Sequence, residues 1–110
     1  MNTKNSLETK PLQELQHLVN LAKRGIANDI DLIMNCLDEK VDFLLTRNVD
    51  YALSLVCSKE GVRRIRFYLF KGNIIQRNYA CLYFVRRGER RVVKRAYRKG
   101  LVDEKQAFSR

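Results

Sequence analysis

The chain has 110 residues, with 22 Lys and Arg against 12 Asp and Glu and a formal net charge of +10 at pH 7. This length favours a single domain, and a hydrophobic content of 45% is sufficient to form its core. No apolar run approaches the roughly 18 residues of a membrane-spanning helix, and the polar start MNTKNSLETK is not typical of a secretory signal.

The pattern predicts an all-α fold, a compact array of about six short helices arranged as stacked hairpins or a small bundle, without a sheet. We expect residues 1–9 to be a flexible tail and residues 10–110 to be the domain. All five glycines follow a charged residue, as at helix ends where glycine adopts the left-handed cap conformation. We therefore predict a helix end at each of them: Gly25, Gly61, Gly72, Gly88 and Gly100.

Three helices are predicted before residue 60. The first covers roughly 11–24, with Pro11 in its first turn. The second is the clearest, because apolar residues keep helical spacing for four turns from Ile30 to Leu45. Side chains that can accept hydrogen bonds from a first turn mark the starts of the second and third helices. They are Asn28 or Asp29 for the second helix and Asn48 or Asp50 for the third.

Three helices and a final turn are predicted in the rest of the chain. The fourth helix covers roughly 62–71. Asn73 begins the fifth, with Gln76 in the position of a capping box. The sixth covers 89–99, and Asp103 with Gln106 is expected to start a last turn.

A weak internal repeat accompanies these helices, with an offset of 27 or 28 residues. Such a repeat is typical of stacked helical hairpins, although two amphipathic helices joined by glycine look similar without duplication. The stretches GVRRIRFYLFKGN and KGLVDEKQAFSR resemble the helical repeats of the bacterial RecX recombinase regulators at scattered Gly, Arg and Ile positions. The repeat matches Tyr51-Ala52, Gly61, Arg63-Arg64, Ile65 and Gly72 with Tyr79-Ala80, Gly88, Arg90-Arg91, Val92 and Gly100.

The positive charge is concentrated in residues 61–100, which contain thirteen Lys or Arg and a single acid, Glu89. Residues 1–60 contain seven bases and nine acids, so the excess belongs to one part of the molecule. A block of this kind attracts polyanions, above all nucleic acid.

The sixth predicted helix separates its charges from its apolar residues. At about 100° per residue, Val92, Val93, Ala96 and Tyr97 share one arc. The opposite half contains only bases: Arg90, Arg91, Lys94, Arg95, Arg98 and Lys99. Four like-charge pairs at four-residue spacing cost about 1–2 kcal/mol in total, which favours a binding role over a merely solvated face.

We therefore predict contacts to the phosphate backbone of DNA or RNA. The predicted contact residues are Arg63, Arg64, Arg86, Arg87, Arg90, Arg91, Lys94, Arg95 and Arg98. Aromatic residues between the bases either form core or stack on bases of a single strand. Tyr68 and Tyr83 are the predicted stacking residues if any aromatic has that role.

Acidic residues on the second predicted helix form a possible stripe of Asp31, Asp38 and Asp42, with Glu39 nearby. The stripe is either solvated, or neutralises the basic face within the molecule, or meets the basic face of another copy in a homo-oligomer. A divalent metal held by Asp38 and Asp42 is disfavoured, because no further ligands cluster there.

Catalytic signatures are absent from the sequence. His17 is the single histidine, and we expect it to be exposed on the first helix. The three cysteines, Cys36, Cys57 and Cys81, have no metal-binding spacing and are predicted to be small core residues in a reducing compartment.

The predicted function is thus non-enzymatic nucleic-acid binding with weak sequence preference, in the cytoplasm and without cofactor or metal. The alternative is a helical protein-interaction module that docks an acidic protein or regulates a nucleoprotein complex. Attachment to anionic membranes is a weaker third reading, because the apolar residues of the sixth helix are needed in the core.

Overall fold

A computed structural model describes residues 3–108, with side chains described from residue 13 onward. Residues 3–108 form seven helices and no strand, which confirms the all-α prediction. Among the described residues, none of the helices combines the length and apolar composition that a bilayer span requires. The helices are α1 (Thr3–Arg24), α2 (Ala27–Met34), α3 (Phe43–Ser54), α4 (Lys59–Lys71), α5 (Ile74–Arg86), α6 (Arg90–Arg98) and α7 (Glu104–Phe108).

The first helix begins at Thr3 rather than at residue 11, and it ends at Arg24 as predicted. The prediction that Pro11 lies in the first turn is therefore wrong, because residue 11 lies inside α1. The flexibility of residues 1–9 stays a prediction, and residues 1–2 lie outside the described part of the chain. His17 is exposed on α1, as predicted.

The second predicted helix is wrong in its length. α2 ends at Met34, and α3 begins only at Phe43. Two aspartates stabilise the intervening turn, because the Asp38 carboxylate accepts a hydrogen bond from the Lys40 N–H (2.8 Å) and Asp42 accepts one from the Leu45 N–H (2.7 Å). Aspartate side chains that bond nearby backbone groups compete with helix formation, so the apolar spacing did not produce one long helix.

The predicted caps of these two helices are wrong for related reasons. Ile26 is the N-cap of α2 and makes no side-chain cap bond. The Ala27 N–H instead donates to the Glu60 carboxylate of α4, with 2.5 Å between the nitrogen and the oxygen. Asp42 caps α3, and the predicted starts Asn48 and Asp50 lie inside that helix. A cap supplied by a distant helix has no local signature in the sequence.

Glycine follows the ends of α1, α5 and α6 as predicted, with φ of 62° at Gly25, 73° at Gly88 and 74° at Gly100. Gly72 ends α4 with an extended backbone. Gly61 was wrongly predicted as a helix end, because it lies in the first turn of α4.

Close packing explains why the residue at position 61 is glycine although it lies inside a helix. A Cβ there would lie 2.5 Å from Val56 Cγ1 and 3.0 Å from the Gly25 carbonyl oxygen. Ser58 links the two segments, since its hydroxyl donates a hydrogen bond to the Gly25 carbonyl (2.6 Å) and accepts one from the Gly61 N–H (3.0 Å). The start of α4 is therefore held against the turn between α1 and α2.

The core is centred on α5, which packs against α3, α4, α6 and α7. Phe84 of α5 is completely buried, whereas Ile74 in the first turn of α5 is 75% exposed. The predicted capping box of Asn73 and Gln76 is confirmed, and Asp103 and Gln106 form the same reciprocal bonds at the start of α7.

The cysteine prediction holds in part. Cys81 is buried in α5 and Cys36 is half-buried after α2. Cys57 is exposed, because the chain between α3 and α4 turns its side chain away from the core occupied by Val56. The predicted role of all three as core residues is wrong for Cys57.

Candidate nucleic-acid interface

Helix α6 presents its bases to solvent because its other side is buried. Val92, Val93 and Ala96 belong to the core. Besides the partly exposed Tyr97, the exposed face of α6 and its C-cap contains only the six predicted bases, Arg90, Arg91, Lys94, Arg95, Arg98 and Lys99. These two opposite faces follow from the 3.6-residue period of a helix with one apolar stripe.

Acids of the same fold do not neutralise most of this face. In the described part of the chain, Arg91, Lys94, Arg98 and Lys99 form no ion pair with an aspartate or glutamate. Arg95 has a different neighbour, because its guanidinium lies over the Phe70 ring of α4, 5.1 Å from the ring centre. The field of the face therefore remains available to an external anion.

Some of the predicted contact residues have carboxylate partners within the described part of the chain. Arg64 pairs with Asp31 of α2 at 2.6 Å, Arg86 pairs with Asp50 of α3 at 2.8 Å, and Arg87 pairs with Glu89 at 3.2 Å. Arg64 is half-buried and is also the most fully engaged, with a second bond to Asp31 at 3.2 Å. We therefore assign Arg64 to holding α4 on α2 rather than to ligand contact.

The carboxylate of Asp31 is the centre of this contact, since it also accepts a hydrogen bond from the Tyr68 hydroxyl at 2.7 Å. Burial alone would raise the pKa of Asp31, but the bonds from Arg64 and Tyr68 and the Arg64 charge lower it below its ordinary value of 3.8. Burial and the bond to Asp31 raise the pKa of Tyr68 to about 12. Both pKa shifts indicate that Asp31 is held as a carboxylate and Tyr68 as a neutral phenol, beside the Arg64 guanidinium.

Replacement of Asp31 by Asn is expected to lower the free energy of unfolding at neutral pH by about 1–3 kcal/mol, because the charge-assisted bonds from Arg64 and Tyr68 to the carboxylate are weakened or lost. Since the pKa of Asp31 is lower in the folded state, its contribution is complete above pH 3.8 and is lost as the pH falls further. Urea denaturation of both proteins at neutral pH and at about pH 3 measures this. If the difference in free energy of unfolding between the wild type and the variant does not shrink in acid, the role assigned to the Asp31 carboxylate is contradicted.

Two adjoining open depressions lie between α4 and the turn before α6, and both are lined by Arg66. We call them together the basic groove. One, of about 460 Å³, is lined by Arg66, Gly88, Glu89, Arg90, Arg91 and Val92. The other, of about 330 Å³, is lined by Cys57, Lys59, Val62, Arg63, Arg66 and Arg87.

The basic groove joins bases that are far apart in the sequence. Among the described residues that line it, Glu89 is the only acid, and its carboxylate pairs with Arg87. Arg66 and Lys59 were not among the predicted contacts. Their spacing from Arg63 places all three on one side of α4, so helical periodicity could have identified them.

A third depression, of about 350 Å³, continues the groove through Arg63 and is lined also by Ala27, Glu60, Arg64 and Phe67. The Glu60 carboxylate already accepts the bond from the Ala27 N–H. Phe67 is 43% exposed there. The cationic surface thus has an aromatic side chain at one end.

The two predicted stacking residues are wrong. Tyr68 is 8% exposed and bonded to Asp31, and Tyr83 is 4% exposed and donates to the Val56 carbonyl oxygen at 2.6 Å. Both rings are core, with their hydroxyls satisfied as buried tyrosines require. Phe67, adjacent to Tyr68 in the sequence, is the aromatic residue that α4 places on the basic side.

The predicted acidic stripe does not form. Asp31 is bonded to Arg64 on one helix, Asp38 lies in a turn, and Asp42 caps another helix. The homo-oligomer proposed through an acidic helix face therefore lacks that face. Within the described residues, no group of three or more His, Cys, Asp or Glu side chains could hold a metal ion.

Comparison with known proteins adds no family to these observations. No family model matches the chain, and neither the curated proteins nor the solved structures give a significant match. The resemblance of residues 61–73 and 99–110 to the RecX repeats is thus not supported by a family match. A functional assignment rests on the residues of the chain itself.

Proposed function

We propose that the chain is a non-enzymatic nucleic-acid-binding protein that contacts the phosphate backbone through the basic groove and the exposed face of α6. The observation that carries this proposal is the continuity of the cationic surface, in which Arg66 of α4 lines a depression together with Arg91 of α6. A surface continuous over two helices can contact several successive phosphates. A cytoplasmic location, where nucleic acid is accessible, is part of the proposal.

The chemistry of the surface favours phosphate contacts over base reading. Arginine offers a planar fork of donors that matches two phosphate oxygens. The exposed face of α6 contains only Lys and Arg besides the partly exposed Tyr97, so few neutral polar groups are present to read base edges. Phosphate contacts fix position without carrying sequence information, and we therefore expect weak sequence preference.

Like charges on α6 also favour an anionic ligand. Arg91, Arg95 and Lys99 lie at four-residue spacing, where each like-charge pair destabilises a helix by about 0.2–0.5 kcal/mol. A bound polyanion offsets this repulsion, so part of the binding free energy comes from the reduced repulsion between the bases of α6.

An acidic protein segment is the alternative ligand for the same surface. It would satisfy the arginines with carboxylates and would not require regularly spaced charges. A pull-down that survives nuclease treatment and recovers one acidic protein, from a chain that binds neither DNA nor RNA at low salt, would favour that alternative.

Titration of labelled DNA and RNA at several salt concentrations is the test of the proposal. If five or six phosphates are contacted, the logarithm of the binding constant is expected to fall with the logarithm of salt concentration with a slope of about −4.5 to −5.4 for duplex DNA. Fluorescence anisotropy gives both the constants and the slope. Absence of binding to every nucleic acid at low salt would contradict the proposal.

A further inference from the structure

Phe67 is an exposed phenylalanine that lies beside the arginines of α4. It is 43% exposed at the end of the cationic surface, in a depression that it shares with Arg63 and Arg64. The Arg64 guanidinium lies over its ring, 4.2 Å from the ring centre. The edge-to-face contact with the Tyr68 ring, at 5.2 Å and 89°, holds it from another direction.

These contacts fix the ring before any ligand arrives. Arg64 is itself held by two bonds to Asp31, and Tyr68 is bonded to the same carboxylate. The ring therefore stands on a supported group rather than on a mobile side chain. Because the ring is already held in place, stacking a base on it costs little conformational entropy. Pre-organisation increases affinity in this way.

A nucleic-acid backbone bound along the neighbouring cations would lie within reach of this ring. Arg63 lines the depression of Phe67 and also the basic groove, where it is joined by Arg66 and Lys59. A strand whose phosphates follow these bases can turn one base towards Phe67. In a duplex the bases are paired and stacked inside the helix, so a ring on the side of α4 has no access to a base face.

We propose that the basic groove selects single-stranded nucleic acid and that a base stacks on Phe67. This inference rests on the proposed phosphate binding and adds its substrate class. A phenylalanine ring stacks on every base, so the site is expected to accept DNA and RNA strands of any sequence.

Replacement of Phe67 by Leu tests the stacking, because it keeps an apolar side chain and removes the ring. We expect affinity for labelled oligothymidylate and oligouridylate to fall at least about five-fold, with little change for a duplex. Phe67→Tyr, which keeps a ring, is expected to retain affinity. Phe43→Leu is the matched control, since Phe43 is 77% exposed with Arg47 over its ring at 5.8 Å but lies on α3, outside the basic groove.

An abasic oligonucleotide of equal length completes the experiment without relying on any variant. It keeps the phosphates and removes the bases, so the wild-type protein should bind it at least about five-fold more weakly than oligothymidylate, and Phe67→Leu should not weaken it further. Equal affinity of the wild type for the two oligonucleotides, or for duplex and single strand, would overturn the stacking inference and leave phosphate binding intact. Failure to bind any of them would reject phosphate binding itself.

Discussion

Charge reversal at both Arg66 and Arg91 is expected to weaken nucleic-acid binding at least about 100-fold, because two charge-assisted phosphate contacts are replaced by repulsion. The two side chains line the same depression from α4 and from α6. Neither forms an ion pair among the described residues, so their replacement by Glu breaks no salt bridge of the fold. The salt slope should also become less steep by about two.

Stability separates this loss of binding from unfolding. Glu at position 91 would stand four residues before Arg95, an orientation that favours a helix. The Arg66→Glu, Arg91→Glu variant is therefore expected to unfold at the same temperature as the wild type or slightly above it. The control is Lys40→Glu with Arg47→Glu, which changes the net charge equally at two exposed residues outside the basic groove.

The comparison of these two variants by anisotropy decides whether the surface or the total charge is responsible. We expect the control to retain most of the wild-type affinity, with a modest decrease from the lower net charge. If both variants lose affinity equally, attraction to the whole molecule and not the basic groove explains binding.

Replacement of Gly25 by Ala is expected to lower the free energy of unfolding by about 2–4 kcal/mol. The residue has φ of 62°, a conformation that costs an L residue energy, and the new Cβ would lie 2.3 Å from Ser58 Oγ. That hydroxyl cannot move away cheaply, because it donates to the Gly25 carbonyl oxygen and caps α4 through the Gly61 N–H. The substitution therefore strains the backbone and disturbs the start of α4 together.

Gly100→Ala is the matched control for the backbone part of this effect. Gly100 has φ of 74° and no atom within 4 Å of the position a Cβ would take. Its replacement is expected to cost only the conformational part, about 1–2 kcal/mol. Urea denaturation of both variants measures the difference, and equal costs would show that α4 does not cross the end of α1 as closely as described.

Local signals in the sequence predicted the structure where the structure is locally determined. The capping box of Asn73 and Gln76 and the similar start at Asp103 were predicted because partners three residues apart satisfy each other. The end of α1 at Gly25 was predicted from another local signal, the ease with which glycine adopts the left-handed conformation at a helix end. The long second helix was wrong because Asp38 and Asp42 bond their own backbone, and apolar spacing does not show that competition.

The candidate site shows the same division. The outward face of α6 was predicted from periodicity, since its opposite stripe of Val92, Val93 and Ala96 had to be buried. The pairing of Arg64 with Asp31 and of Arg86 with Asp50 joins residues from different helices. Such long-range partners are not readable from one sequence, and neither is the basic groove that Arg66 shares with α6.

Mapping of backbone amide shifts by NMR, during titration with a short oligothymidylate at low salt, tests the central claim most directly. We expect the largest changes in residues 59–67 of α4 and 87–95 around the start of α6, the segments that form the basic groove. The amides of α3 and of the middle of α1 should change little. Changes centred on α1 and α3, or no changes at saturating oligonucleotide, would contradict nucleic-acid binding at this surface.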